Sequence, residues 1–232
     1  MEFEQARAEL DTYGFVVLRN QITTEDTDRM ATRLTSMMRQ QPNADRLDQN
    51  MQSLLNHDEI FVPLGLNETF LQLAEYKLGA GFRFAGVAAR WIKPGAAGQR
   101  LHADLPASKM PEPLPDGCFV LNAIWMLTDF TRDNGATLFL PCSHHTRRRP
   151  TGPVPDHYLV AAEAPRGSVV IFNGLTWHGS GANVTTDKDR LGVACHYFPS
   201  WMADEWGTMP RSVHERMPPL IQQMMAHKIV DG

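Results

Sequence analysis

Cysteine is scarce in this chain. There are three in 232 residues, Cys118, Cys142 and Cys195, widely spaced and with no Cys-x-x-Cys pair. Such a set reads as a reduced, cytoplasmic protein rather than a disulfide framework. A basic excess is lacking too. The formal net charge is -4, which makes nucleic acid a poor partner. Long apolar runs are missing: "GFVVL" and "SVVIF" are far too short to span a bilayer, so no membrane partner is expected. The opening "MEFEQARAELDTYG" carries acids and no apolar h-region, so no secretory signal is expected there. There are no internal repeats and no low-complexity segment.

What is present is enough apolar material, 43% of residues, for one sizeable core. Residues 3 to 12 read as a short helix ending near Gly14, and "FVVLRN" follows as a strand. Thr23 opens "TEDTDRMATRLTSMMRQQ", with acids in its first turn and Pro42 just past its end, which marks a helix. Residues 43 to 66 give no clear reading. "NETFLQLAEYKLG" is a helix with Asn67 as N-cap and Gly79 as C-cap. After residue 80 the texture changes. "FRFAGVAARWIKPG", "CFVLNAIWMLTDF", "ATLFLP", "GSVVIFNG" and "LGVACHYFP" are strand-like runs between Pro/Gly-rich loops. Strands without intervening helices favour an antiparallel sandwich or barrel. The C-terminal "SVHERMPPLIQQMMAHK" reads as helix beyond its Pro-Pro break. With no linker in view, the expected organisation is a single domain over 1-232: a mainly helical buttress at 1-80, a β core at 81-200 and a helical segment at 201-232.

Two residue groups carry chemistry. In "GQRLHADLP", His102 and Asp104 are two apart. In an extended segment they face the same side, so an imidazole and a carboxylate can reach one metal. His178, in the Gly-rich turn after "SVVIF", is the natural third ligand of a 2-His-1-carboxylate set. That set suits Fe(II), because positions stay open for a co-substrate and oxygen. Arg190 opens the next strand and offers a guanidinium fork to the far carboxylate of 2-oxoglutarate. Each residue alone also fits a plainer role. The His-x-Asp pair fits surface polarity, His178 a solvated loop histidine, and Arg190 a surface partner of Asp187 or Asp189.

The run H-x-D … D-F-T-R-D-N-G-A-T-L-F-L-P-C-S-H … W-H-G-S-G-A-N … R resembles the phytanoyl-CoA dioxygenase family of iron and 2-oxoglutarate oxygenases, with its motifs in order across roughly residues 10 to 200. The resemblance implies a mainly β fold with flanking helices, a double-stranded β-helix (jelly roll, cupin-like) core. It implies Fe(II), 2-oxoglutarate and O2 as the reacting set, with His102, Asp104 and His178 as catalytic iron ligands. Arg190 then binds the 2-oxoglutarate C5 carboxylate, with Ser180 beside it. "GQRLHAD" and "NGAT" are similar to the natural-product-tailoring branch, in which Gln99 and Thr137 contact 2-oxoglutarate. The implied activity is a dioxygenase that hydroxylates an unactivated C–H of a small hydrophobic molecule in secondary metabolite biosynthesis. An acyl-CoA hydroxylase and a non-enzymatic metal-binding cupin are the alternatives. A homodimer is a family-level expectation.

Three features depart from the family pattern or leave a role open. The chain reads "PCSH" where the family usually has Gly in place of Cys142, so this turn is expected to differ. The basic run "HHTRRRP" at 144-150 fits either a grip on an anionic substrate or a solvated surface, and the proline-rich 105-117 either a lid or a stiff crossover. Asp104 is kept where halogenating relatives carry a small residue, which points to oxygen chemistry.

Overall fold

In the computed structural model, which describes residues 3–104, 110–203 and 207–231, the helix signals lie where the sequence puts them. Helix α1 (Phe3–Tyr13) stops at Gly14, whose φ of 85° closes the turn. Helix α2 (Thr24–Arg39) starts where the Thr23 hydroxyl accepts from the Asp26 amide at 3.1 Å. Helix α3 (Glu68–Leu78) starts where the Asn67 carbonyl oxygen accepts from the Phe70 amide at 3.1 Å. Caps of this kind contribute about 1 kcal/mol each.

The strands are β1 (Phe15–Leu18), β2 (Asp48–Met51), β3 (Arg83–Ile92), β4 (Leu121–Met126), β5 (Thr137–Phe139), β6 (Val160–Ala161), β7 (Val169–Asn173), β8 (His178–Ser180) and β9 (Arg190–Phe198). Six form one antiparallel sheet in the order β1-β7-β4-β9-β3-β2, and β6-β5-β8 form a smaller one. The segment through Gln99 and His102 extends the smaller sheet. The amides of His102 and His178 donate to each other's carbonyls at 2.9 and 3.0 Å, and Gln99 N donates to Ser180 O at 2.9 Å. The two sheets face each other through Phe139, Phe172, Met126 and Val170. This is the double-stranded β-helix core, with helices on the outer face of the larger sheet.

Strand alternation sorts the side chains. On β9, Leu191, Val193, Cys195 and Tyr197 point outward into the apolar layer that Leu10 of α1 and Phe70 and Leu73 of α3 cover. Arg190, Gly192, Ala194 and His196 line the interior between the sheets, opposite Arg90 and Ala88 of β3. The small side chains at 88, 192 and 194 leave a cavity of about 200 Å³ there.

Three features were not legible in the sequence. Strand β2 lies in the ambiguous stretch. "DQNM" has a single apolar residue and sits at the sheet edge, so no alternation announces it. Because β1 and β2 supply both edges of the larger sheet, the strands reach outside the 81-200 span expected for the β core. In the C-terminal segment, helices α4 (Arg211–His214) and α5 (Pro219–Met225) are flanked by an unexpected parallel pair, β10 (Met209–Pro210) before them and β11 (Ile229–Val230) after them. Among the described residues, no helix is long and apolar enough to cross a membrane.

Cys142 itself adopts the left-handed conformation that favours glycine, with φ 62° and ψ 1°. A hydrogen bond from Cys142 N to Tyr13 O at the end of α1, at 3.0 Å, holds the residue in place. A non-glycine residue in this region costs about 1–2 kcal/mol, and glycine costs roughly 0.5–1 kcal/mol in unfolded-state entropy. Cys142→Gly is therefore expected to stabilise the chain by about 0.5–1 kcal/mol. A higher urea midpoint at unchanged slope is the readout. An unchanged or lower midpoint would show that the turn is not strained.

Candidate metal centre and anion seat

The cross-strand pair His102–His178 brings two imidazoles to a centroid distance of 4.4 Å. Asp104, two residues on, turns its carboxylate to both. Oδ1 lies 3.7 Å from His102 Nε2 and Oδ2 lies 3.5 Å from His178 Nε2. One donor atom from each of the three residues lies within 4.8 Å of the others. Each ring is set by a carbonyl. His102 Nδ1 donates to Arg100 O at 3.1 Å and His178 Nδ1 to Thr176 O at 2.7 Å. A carbonyl only accepts, so Nδ1 carries the proton and Nε2 turns its lone pair to the centre, the tautomer a metal requires. His178 is 6% exposed and packs against Phe172 at 4.6 Å. Burial holds its pKa below the usual histidine value, against the pull of Asp104, so the ring stays neutral.

Glycines make this convergence possible. A Cβ on Gly179 would lie 3.1 Å from Arg100 O and 3.2 Å from Gln99 O, so β8 and the His102 strand could not pair as closely. A Cβ on Gly174 would lie 3.1 Å from the Asp104 Cβ, and the Gly174 carbonyl accepts from Asp104 N at 2.8 Å.

Arg190 is not a surface residue. It is 2% exposed, its Nη2 donates to Thr137 Oγ1 at 3.0 Å, and its guanidinium lies 4.1 Å from the Phe130 ring centroid. Among the described residues no carboxylate lies within ion-pair distance, so the pairing with Asp187 or Asp189 does not occur. Its Nε is buried without a partner, and so is the Ser180 hydroxyl. Burial pushes the guanidinium pKa down to about 9, with Arg90 adding and Asp48 opposing; it remains a cation at neutral pH. Ser180 sits opposite Thr137 in the β5–β8 ladder, and Gln99 Oε1 accepts from Ser180 N at 3.2 Å. From His178 to Ser180 is two residues, roughly 6.6–6.8 Å along the strand. The structure thus places a cationic seat with unused donors one strand step from the three-ligand cluster. All seven residues singled out in the sequence line the cavity between them.

The sequence did not single out Asn122, His196, Asn50, Gln52 or Arg90, which line the same cavity. For Asn122 and His196 a signal existed: polar residues on the inward phase of otherwise apolar strands. Arg90 is held by Asp48 in a two-pronged ion pair. The basic run, in turn, does something neither reading foresaw. Arg147 Nε donates to Leu114 O, Arg149 N donates to Glu112 Oε1 at 2.8 Å, and Arg149 Nη2 donates to Met110 O. These arginines clasp the end of the proline-rich stretch. Its residues 105 to 109 lie outside the described part of the chain.

Known proteins resemble the chain in sequence and in fold. The family model described as phytanoyl-CoA dioxygenase (PhyH) matches residues 10–192. Dioxygenase af480 of Aspergillus fumigatus is 34% identical over 167 residues, covering 69% of this chain and 53% of that protein. The Fe(II)/2-oxoglutarate-dependent dioxygenase nvfF of Aspergillus novofumigatus is 37% identical over 135 residues, covering 57% and 45%. The chain spans about half the length of the curated relatives it matches. Among solved structures, HygX from Streptomyces hygroscopicus with nickel and 2-oxoglutarate bound superposes with a TM-score of 0.69, at 16% identity and coverage of 94% and 93%. The epimerase SnoN in complex with Fe3+, alpha ketoglutarate and nogalamycin RO superposes with a TM-score of 0.67, at 19% identity and coverage of 85% and 83%. These likenesses bear out the jelly-roll fold.

Proposed function

Because the chain belongs to the phytanoyl-CoA dioxygenase family, we propose that it is an Fe(II)- and 2-oxoglutarate-dependent dioxygenase. Its reaction is oxidation of an unactivated C–H bond of a small molecule, as a hydroxylation in secondary metabolite biosynthesis. The observation that carries this reading is Arg190, a buried cation with no anionic partner among the described residues, lining the cavity that holds three metal-binding side chains. A site built only to hold a metal has no use for such a group. Leaving a charge buried and unpaired is costly, so its presence argues for an anion that arrives and leaves.

The donor set fits Fe(II), with two neutral imidazoles and one carboxylate and room for further ligands. His102, Asp104 and His178 hold the metal. Arg190, Thr137 and Ser180 hold the far carboxylate of 2-oxoglutarate, the two buried donors without partners supplying hydrogen bonds to it. Gln99 closes that end of the seat through Ser180. Bound iron and 2-oxoglutarate supply the O2-dependent oxidation, which no side chain can perform. The chain's own task is to orient the two reactants and keep water away. Phe172, Ile124 and the paired sheets do this for the cavity interior. Asn50 and Gln52 on the β2 edge add amides to its wall, which narrows the substrate from a purely hydrophobic molecule to one with an apolar body and hydrogen-bonding groups. The acyl-CoA alternative leaned on the basic run, and Arg147 and Arg149 are engaged with the loop at 110–114 instead.

The test is an anaerobic titration of the purified chain with Fe(II) and 2-oxoglutarate. A weak visible charge-transfer band is expected, followed by succinate formation on admission of air. Fe(II) binding without the band would remove the co-substrate and leave a metal-binding cupin.

A further inference from the structure

A carboxylate offers a metal two oxygens. A site that must also admit a chelating co-substrate and oxygen has room for only one of them. In the structure one of the two is engaged by a neighbouring amide. Asn122 Nδ2 donates to Asp104 Oδ2, and Asn122 Oδ1 lies 2.7 Å from His196 Nδ1. Asn122 and His196 are directly opposed in the β4–β9 ladder, both on the cavity face, 1% and 8% exposed. The amide orientation follows from chemistry. Turned over, its carbonyl would face a carboxylate, two acceptors in contact. His196 Nδ1 must therefore carry the proton and donate. Among the described residues, no other side-chain amide, hydroxyl or cation donates to the Asp104 carboxylate. Its other oxygen, Oδ1, lies 3.7 Å from His102 Nε2, while Oδ2 also lies 3.5 Å from His178 Nε2.

We propose that Asn122, itself held by His196, is a positioning residue that engages Asp104 Oδ2 and so keeps the carboxylate from binding the metal through both oxygens. The inference rests on the iron reading above. Asn122 does not touch the metal or the reactants; it acts through Asp104. Without it the carboxylate is free to rotate and bind through both oxygens, which takes a position that 2-oxoglutarate or oxygen needs. Nothing in the pattern of ligands alone requires this pair. It exists because β4 and β9 place an amide and an imidazole side by side beneath the carboxylate.

The experiment compares Fe(II) affinity and the Fe(II)–2-oxoglutarate charge-transfer band in the full chain and its variants, with thermal unfolding as the check on folding. Asn122→Leu is expected to weaken Fe(II) binding by about 10- to 100-fold and to shift or abolish the band at saturating metal, a spectroscopic change that general destabilisation does not produce. His196→Leu is expected to act in the same direction. His196→Asn, whose Nδ2 stands near the lost Nδ1, is expected to restore both readouts. If Asn122→Leu does not fold, the His196 pair decides alone: recovery in His196→Asn over His196→Leu supports the proposal, and equal behaviour overturns it. Wild-type-like affinity and band in a folded Asn122→Leu also overturn it, while the iron reading stands. A wild-type chain that fails to bind Fe(II) overturns that reading and this inference with it.

Discussion

His178→Ala is expected to lose measurable Fe(II)-dependent conversion of 2-oxoglutarate to succinate. The fall should exceed the roughly 100-fold that changes beyond the ligand shell cost, because a ligand itself is removed. The geometry makes His178 the hardest of the three to replace. It is 6% exposed, and its ring is clamped by the Thr176 carbonyl and packed on Phe172. Asp104→Ala and His102→Ala are expected to behave alike, although His102 is more open to solvent. The check is anaerobic Fe(II) titration alongside succinate formation, with thermal unfolding to show that the fold survives. That control is needed because His178 is buried and packed on Phe139 and Phe172. Full turnover in any one variant would remove that residue from the ligand set.

Arg190→Met is expected to change two quantities in opposite directions. The guanidinium is buried, lacks an anionic partner and has an orphaned Nε. Replacing it with an apolar side chain of similar length removes a desolvated charge. The ligand-free protein should therefore gain about 1 kcal/mol or more, a rise of roughly 2–4 °C in Tm. The same change removes the cation from the seat formed with Thr137 and Ser180. Losing one partner of a buried charge pair costs about 2–5 kcal/mol, so the KM for 2-oxoglutarate should rise between roughly 30- and 3,000-fold. Fe(II) affinity should stay within a few-fold, since Arg190 touches none of the three ligands. Arg190→Lys should recover only part of the loss, because an ammonium cannot offer two parallel donors. A destabilised Arg190→Met with an unaltered KM would mean that the arginine serves the fold and not a ligand.

How much of the site the sequence announces depends on the kind of signal. His102 and Asp104 could be paired because a strand repeats every two residues, and the same rule puts Arg190, Gly192, Ala194 and His196 on one face of β9. The ladder between β8 and the His102 strand could not be read that way. It depends on Gly179 having no side chain to hold the strands apart. The polar residues at 122 and 196 look like interruptions of apolar strands until β4 and β9 are seen to be neighbours. The basic run misled for a related reason. Three adjacent arginines suggest a field acting on a ligand, while in the fold two of them are spent on the backbone and side chain of a loop more than thirty residues away in sequence.

The sequence by itself determined the local choices: where helices start and stop, which strands alternate, and which side chains have the chemistry to bind iron and an anion. Those follow from dihedral preference, capping and donor type, and act over a few residues. The tertiary structure alone decided that Arg190 is left without a counter-ion, that Asn122 and His196 hold one oxygen of Asp104, and that β2 closes the sheet edge beside the cavity. These are consequences of strand order, which brings residues 48 to 51, 83 to 92, 121 to 126 and 190 to 198 into one sheet. No spacing in a linear chain encodes which distant strands will lie side by side.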